Sequence, residues 1–145
     1  MDESDQEILI KLAELLTRAS WRLRRNERKE LAPFGLTFAQ AWALRILVAA
    51  AVPLRIGDLA GKLEIVPRSA TTMVDGLEQA GFLFRRMDPA DRRSTLVAPT
   101  PKGRELIARL AEQRREGAEA LFAPLSAEDR LELLRLLAPI GAKSS

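Results

Sequence analysis

The chain has 145 residues, 23 Lys and Arg against 20 Asp and Glu for a formal net charge of +3, 47% apolar residues and only 5% aromatic ones, which suits one globular domain or two small sub-domains sharing a core. It contains neither His nor Cys, so thiolate and imidazole metal sites, cysteine switches, Ser-His-Asp triads and histidine general bases are excluded. Its carboxylates are scattered rather than clustered, so no enzyme activity, metal or cofactor is expected.

Apolar residues at Ile8, Leu12, Leu15, Ala19 and Leu23, widened by Leu9 and Leu16, predict a first helix over Ile8 to Leu31 with a broad buried face. Ala32-Pro33-Phe34-Gly35 breaks it. Thr37 with Gln40 three residues on is a capping box, and a second helix runs through Trp42, Leu44, Ile46 and Leu47 to about Ala50, where Pro53 stops it. Ile56, Leu59, Ala60 and Leu63 make a short third helix. Val66-Pro67 ends that stretch and starts a fourth helix, since proline suits the first helical position and pushes the residue before it out of helix. Gly81 closes the fourth helix as the residue after its cap.

Beyond Gly81 the period changes. Residues 82–87 and 95–98 read as two strands around Asp88-Pro89-Ala90-Asp91-Arg92-Arg93-Ser94, a β-hairpin with an arginine-rich tip. Thr100 and Pro101 then cap a fifth helix through Leu106, Ile107, Leu110, Ala111 and Ala118 to about Phe122. Ser126 and Asp129 cap a sixth, which carries Leu131, Leu133, Leu134, Leu136, Leu137 and Ile140. Leucines on nearly every side of that last helix exceed what one packed face absorbs, so a homodimer built from both termini is expected.

Location gives the modest net charge its meaning. Residues 1–54 carry 8 basic and 7 acidic groups, residues 55–104 carry 9 and 6, and residues 105–145 carry 6 and 7. The middle third holds the excess, and 18 of the 23 cations are arginine, the residue suited to bidentate phosphate or guanine contact. A second basic run, Arg18, Arg22, Arg24, Arg25, Arg28 and Lys29, reads as a solvated helix face or as a contact to nucleic-acid backbone.

The third helix, the fourth helix and the arginine-tipped hairpin, in that order, form a winged helix-turn-helix. Here the chain resembles the MarR family (multiple antibiotic resistance regulators) over nearly its whole length. The resemblance rests on Asp88-Pro89-Ala90-Asp91-Arg92-Arg93, similar to the family's D-x-R wing signature, and on Thr100 with Gly103, similar to its Thr-x-x-Gly helix start. Ile56-Gly57-Asp58-Leu59-Ala60 and Leu77-Glu78-Gln79-Ala80-Gly81-Phe82-Leu83 support it. The resemblance implies a mainly α fold with a small β-hairpin wing, a winged helix-turn-helix DNA-binding lobe over 37–99, and dimerisation helices over 5–32 and 100–141 of one domain, 1–145. It also implies a homodimeric, sequence-specific transcription regulator, expected to be a repressor, on a pseudo-palindromic duplex. The other reading is a winged helix used for protein partners.

On the fourth helix Ala70, Met73, Val74 and Leu77 share one face, which leaves Arg68, Ser69, Thr72, Asp75 and Gly76 outward. Short hydroxyl side chains at Ser69, Thr71 and Thr72 let the backbone approach base edges, and Arg68 can reach a guanine or a phosphate. The family usually carries a basic residue where Met73 and Gly76 stand, so readout is shifted toward Arg68, the hydroxyls and the wing. In the wing Arg93 resembles the family's minor-groove arginine, with Arg92 beside it; such an arginine reads groove width and potential. Asp91 is placed to pair with Arg93, and Asp88 to cap the turn. Arg85 and Arg86 point to opposite faces of the hairpin stem, so one of them, taken as Arg86, faces phosphate.

Family members commonly respond to small anionic or aromatic ligands. Trp21, Phe38, Trp42 and Arg45 supply a flat apolar wall beside a cation, suited to such an effector, and equally fit an ordinary core with Arg45 at the surface. The longest uncharged apolar run, Ile46 to Leu54, has nine residues against the roughly 20 of a membrane span. The start Met1-Asp2-Glu3-Ser4-Asp5 is the reverse of a basic leader, so no membrane partner and a cytoplasmic location are expected.

Overall fold

Apolar spacing places the first helix no earlier than Ile8, but in the computed structural model, which describes residues 1–142, α1 spans Glu3–Leu31. The extra turn comes from a cap rather than from burial. Asp2 Oδ1 accepts from the Asp5 amide at 2.8 Å and Asp5 Oδ2 accepts from the Asp2 amide at 3.4 Å, while Glu3 and Asp5 sit at the positive end of the helix dipole. A single 3-10 turn, Ala32–Phe34, follows, and Gly35 takes φ +65°, a left-handed conformation that glycine adopts without a Cβ clash. Helix α2 (Phe38–Ala49) opens on the expected capping box: Thr37 Oγ1 accepts from the Gln40 amide at 3.1 Å, and Gln40 Oε1 accepts from the Thr37 amide at 2.9 Å.

Next comes β1 (Leu54–Arg55), a two-residue strand absent from the sequence reading because it is too short to show any alternation. Helices α3 (Ile56–Leu63) and α4 (Pro67–Gln79) form the helix-turn-helix. The tight turn between them is closed by Glu64 at φ 57°, whose amide bonds back to Ala60 and Gly61, and by Val66, held extended ahead of Pro67. Strands β2 (Leu83–Met87) and β3 (Thr95–Pro99) are the hairpin. The sheet is antiparallel with order β1-β3-β2, and its registers include Arg55↔Leu96 and Arg85↔Val97. The wing is therefore three-stranded where two strands are expected. Helices α5 (Pro101–Phe122) and α6 (Ala127–Gly141) complete the chain, with Ser126 Oγ accepting from the Asp129 amide at 3.1 Å.

The chain divides into two compact units, residues 26–113 and residues 1–25 with 114–145. The first is a packed core. Leu44 and Leu47 of α2, Leu59 of α3, Val74 and Leu77 of α4, Phe82, Leu83 and Val97 of the wing base, and Leu106 and Leu110 of α5 are buried together. Apolar area removed from water at these positions, about 25 cal/mol per Å², is what holds the helix-turn-helix and the sheet to each other.

Two contacts fix where α4 ends. Thr100 Oγ1 donates to the Gly81 carbonyl at 2.6 Å and accepts from the Gly103 amide at 3.1 Å, and Lys102 Nζ donates to the Ala80 carbonyl at 2.7 Å while lying 4.6 Å from the Phe82 ring. A cation at that end also opposes the negative pole of the helix. Gly103 shows why the start of α5 needs glycine: a Cβ there would sit 2.1 Å from the Phe82 carbonyl oxygen.

The second unit is packed differently. Among its described residues Leu23 meets Gly117, and α6 buries no residue completely. Ile8, Leu9, Ile10, Leu12, Leu15 and Leu16 of α1 are exposed, as are Leu131, Leu134, Leu136 and Ile140 of α6. No single helix among the described residues is long and apolar enough to cross a membrane.

Candidate nucleic-acid interface

The outer face of α4 is set by what its inner face buries. Ala70, Val74 and Leu77 are buried and Met73 half-buried, which turns Arg68, Ser69, Thr71, Thr72 and Asp75 to the surface. The threonine hydroxyls are already spent as donors. Thr71 Oγ1 donates to the Pro67 carbonyl at 3.0 Å and Thr72 Oγ1 to the Arg68 carbonyl at 3.2 Å. Their remaining lone pairs make both residues acceptors, which fits the exocyclic amines of adenine or cytosine rather than carbonyl edges.

Gly76 departs from the expected outward set. It is half-buried, and a Cβ there would lie 2.6 Å from Nε2 of Gln40, so α2 rather than solvent covers it. Sequence periodicity places Gly76 near the boundary between faces, and only the neighbouring helix decides the side.

The wing tip is organised by its two aspartates. Asp88 accepts from the Ala90 amide at 2.9 Å through Oδ1, and its Oδ2 takes the Arg55 guanidinium at 3.0 and 3.2 Å. Its backbone amide donates to the Ser94 carbonyl at 3.1 Å, closing the loop. Asp88 is only 6% exposed, and the Ala90 amide, aided by Arg55, holds its carboxyl below the ordinary 3.8 against the opposing effect of burial. Asp91 corrects an expectation: it does not pair with the Arg93 guanidinium. Oδ1 accepts from the Arg93 backbone amide at 3.0 Å and Oδ2 from the Ser94 hydroxyl at 3.3 Å. The loop is thereby fixed through its main chain, and the arginine side chain is left out of the bond.

Arginines in this unit fall into two groups. Arg45 pairs with Glu27, Arg55 with Asp88, Arg85 with Asp75 and Glu78, and Arg109 with Glu30 and Glu105. Arg68, Arg86, Arg92 and Arg93 are exposed, as are Arg28, which lies against the Phe38 ring, and Arg104, and the side chains of these six have no carboxylate partner among the described residues. Arg85 and Arg86 do face opposite ways, as strand alternation requires: Arg85 turns to α4 and Arg86 to solvent.

Trp21, 71% exposed, belongs to the other unit. Phe38 is half-buried with the Arg28 guanidinium 5.9 Å from its ring, and Trp42 carries the Arg45 guanidinium at 5.3 Å. Arg45 is neither an uncommitted cation nor a surface residue, because Glu27, 4% exposed, holds it at 3.2 Å. Sequence reasoning missed Glu27, although a signal was there: it lies four residues from Leu23 and from Leu31, a carboxylate on the apolar stripe, and such a group needs a partner. Arg55 carried no such signal, because its partner is 33 residues away.

The MarR family model matches residues 36–95. The HTH-type transcriptional repressor Mb2911 of Mycobacterium bovis is 30% identical over 131 residues, 90% of this chain and 94% of the relative. The chain spans about three fifths of the length of two other curated relatives, the Bacillus subtilis regulators YkoM and YwhA, at 60% and 62%. Among solved structures, AbsC, a MarR family transcriptional regulator from Streptomyces coelicolor, superposes with a TM-score of 0.76 at 25% identity, covering 97% of this chain and 93% of that one. CouR, a transcriptional repressor bound to a 23-mer DNA duplex, gives 0.74 at 32% identity, covering 90% and 92%.

Proposed function

The chain belongs to the MarR family, and on that footing we propose that it is a cytoplasmic, sequence-specific transcription regulator, a repressor, that binds duplex DNA as a homodimer. The observation that carries this reading is the division of the arginines. Arg45, Arg55, Arg85 and Arg109 are held by carboxylates, whereas Arg68 at the start of α4 and Arg86, Arg92 and Arg93 on the wing lie exposed. Four of the arginines without a carboxylate partner lie on the start of α4 and on the wing, and a set of cations so placed suits a polyanion.

In this reading α4 enters the major groove with Arg68, Ser69, Thr71 and Thr72 against bases and backbone. Arg93, on a loop held by Asp88 and Asp91, enters the adjacent minor groove with Arg92. Arg86 meets phosphate. Two copies related by a two-fold axis read half-sites whose centres lie about 34–36 Å apart, one turn of duplex.

The test is Arg93→Ala on a duplex recovered by selection of bound sequences from random DNA. Affinity should fall by about 1–3 kcal/mol, and the slope of log affinity against log salt should flatten by about one phosphate equivalent per subunit. Unchanged affinity and slope would remove Arg93 from the interface. A wild-type chain with no salt-sensitive DNA binding would favour the protein-partner reading of the winged helix.

A further inference from the structure

Arg85 lies at the base of the wing and is not among the residues assigned to DNA, yet its guanidinium joins two elements. Nη2 donates to Asp75 Oδ1 at 2.5 Å and Nη1 donates to Glu78 Oε1 at 2.7 Å. One cation on β2 is thus held by two carboxylates of α4, three residues apart and so on neighbouring positions of one helix face. Asp75 remains 57% exposed. With Arg68 and Thr72 it follows spacings of four and three residues, which puts it in the middle of the outer stripe of α4. A carboxylate there faces the surface on which phosphates would lie, and the two acids together outnumber the single cation that holds them.

We propose that Arg85 is a positioning residue for DNA recognition: it clamps the C-terminal half of α4 to the wing and masks Asp75 and Glu78 from the DNA, confining readout to Arg68, Ser69, Thr71 and Thr72 on the first two turns. The inference rests on the reading that the outer stripe of α4 faces DNA. The two carboxylates, Asp75 foremost, hold the Arg85 guanidinium above its ordinary value, in keeping with the two short bonds it donates. It also accounts for a recognition helix that carries two acids and a single arginine: the acids serve the helix-to-wing joint, and the one cation is at the end nearest the bases.

A second possibility for Arg85 is direct contact with phosphate, and the two make different predictions. Arg85→Gln is made in the native background and in an Asp75→Asn, Glu78→Gln background, and binding to a fluorescein-labelled copy of the selected duplex is followed by anisotropy at fixed salt. Masking predicts roughly a tenfold loss of affinity in the native background and less than about a twofold loss in the neutralised one, a coupling of the size found between residues in contact. Equal losses in both backgrounds, or no loss in either, would overturn the clamp while leaving the DNA reading intact. Absence of salt-sensitive binding by the wild-type chain would overturn both. Thermal melts report whether Arg85→Gln is folded. Where it is not, Arg85→Lys in the same two backgrounds gives the same comparison, with a smaller loss expected in the native one only.

Discussion

Asp88 and Asp91 sit three residues apart in one loop, and their surroundings give them different work. Asp91 is half-buried and bonds the main chain and a hydroxyl; Asp88 is buried, caps a turn and holds the only guanidinium among its bonds, that of Arg55. A carboxyl held below its ordinary value in the folded chain stabilises the fold once pH exceeds the unfolded value, and the contribution drains away as pH falls through the folded one. The direction at Asp88 is downward from 3.8, so the loss belongs to acid. Comparing melting temperatures of the wild type and Asp88→Asn, the gap should be full at neutral pH, begin to close below about pH 5 and vanish once Asp88 is protonated. A gap that stays constant into acid would show that the loss does not come from the carboxylate charge, and no gap at any pH that Asn serves the turn as well as the carboxylate does. Arg55→Ala belongs to the same residue pair and should lower affinity for the selected duplex in an anisotropy titration, because it frees Asp88 at the base of the wing loop.

Element boundaries follow from caps and close approaches more than from periodicity, and the glycines separate the two. Gly103 in α5 faces the Phe82 carbonyl, a backbone atom that cannot swing aside, whereas a Cβ on Gly57 in α3 meets nothing within 4 Å. Gly103→Ala should therefore destabilise by about 1–3 kcal/mol or more, as overpacking does. Gly57→Ala should be neutral or stabilise by up to about 1 kcal/mol, because alanine loses less backbone freedom in a helix. Urea melts of the two variants check this, and a Gly103→Ala chain as stable as the wild type would mean that the approach at Gly103 relaxes freely.

The same contrast explains how far the sequence could be read. Helices α2, α3, α4 and the hairpin were legible because Thr37-Gln40, Val66-Pro67, Gly81 and the Asp-Pro-Asp turn are local signals with local causes. The first turn of α1 was missed because Asp2 and Asp5 are polar, and an apolar count does not see caps. Strand β1 was missed because its pairing with β3 is a property of the sheet. In the site, Arg68, Arg86, Arg92 and Arg93, expected from helix and strand period and from the wing resemblance to meet DNA, are exposed. Which arginines are already held, and therefore which remain for a ligand, depends on partners distant in sequence such as Asp88 for Arg55 and Glu27 for Arg45.

At the scale of the whole molecule the unequal burial of the two units is the fact to be explained. The largest fully buried side chains, Phe82, Leu44 and Leu47 among them, all lie in residues 26–113; α6 carries Leu131, Leu134 and Ile140 at 68%, 65% and 69% exposure and buries none of its residues completely. A monomer rarely leaves so much contiguous apolar surface in water. At about 25 cal/mol per Å², covering a face of standard interface size offsets the entropy of association, which gives the proposed homodimer its driving force. The charges agree with this assignment, since the exposed arginines of the wing and α4 belong to the unit that is already packed and so remain available for DNA. Replacing Leu131 and Leu134 by Glu should then give a monomer by sedimentation equilibrium while leaving the core of residues 26–113 folded. DNA affinity should fall far more steeply than for Arg93→Ala, because losing the second half-site removes a whole set of contacts instead of one. A wild-type chain that sediments as a monomer at micromolar concentration would sink the dimer, and the exposed leucines would then need another partner.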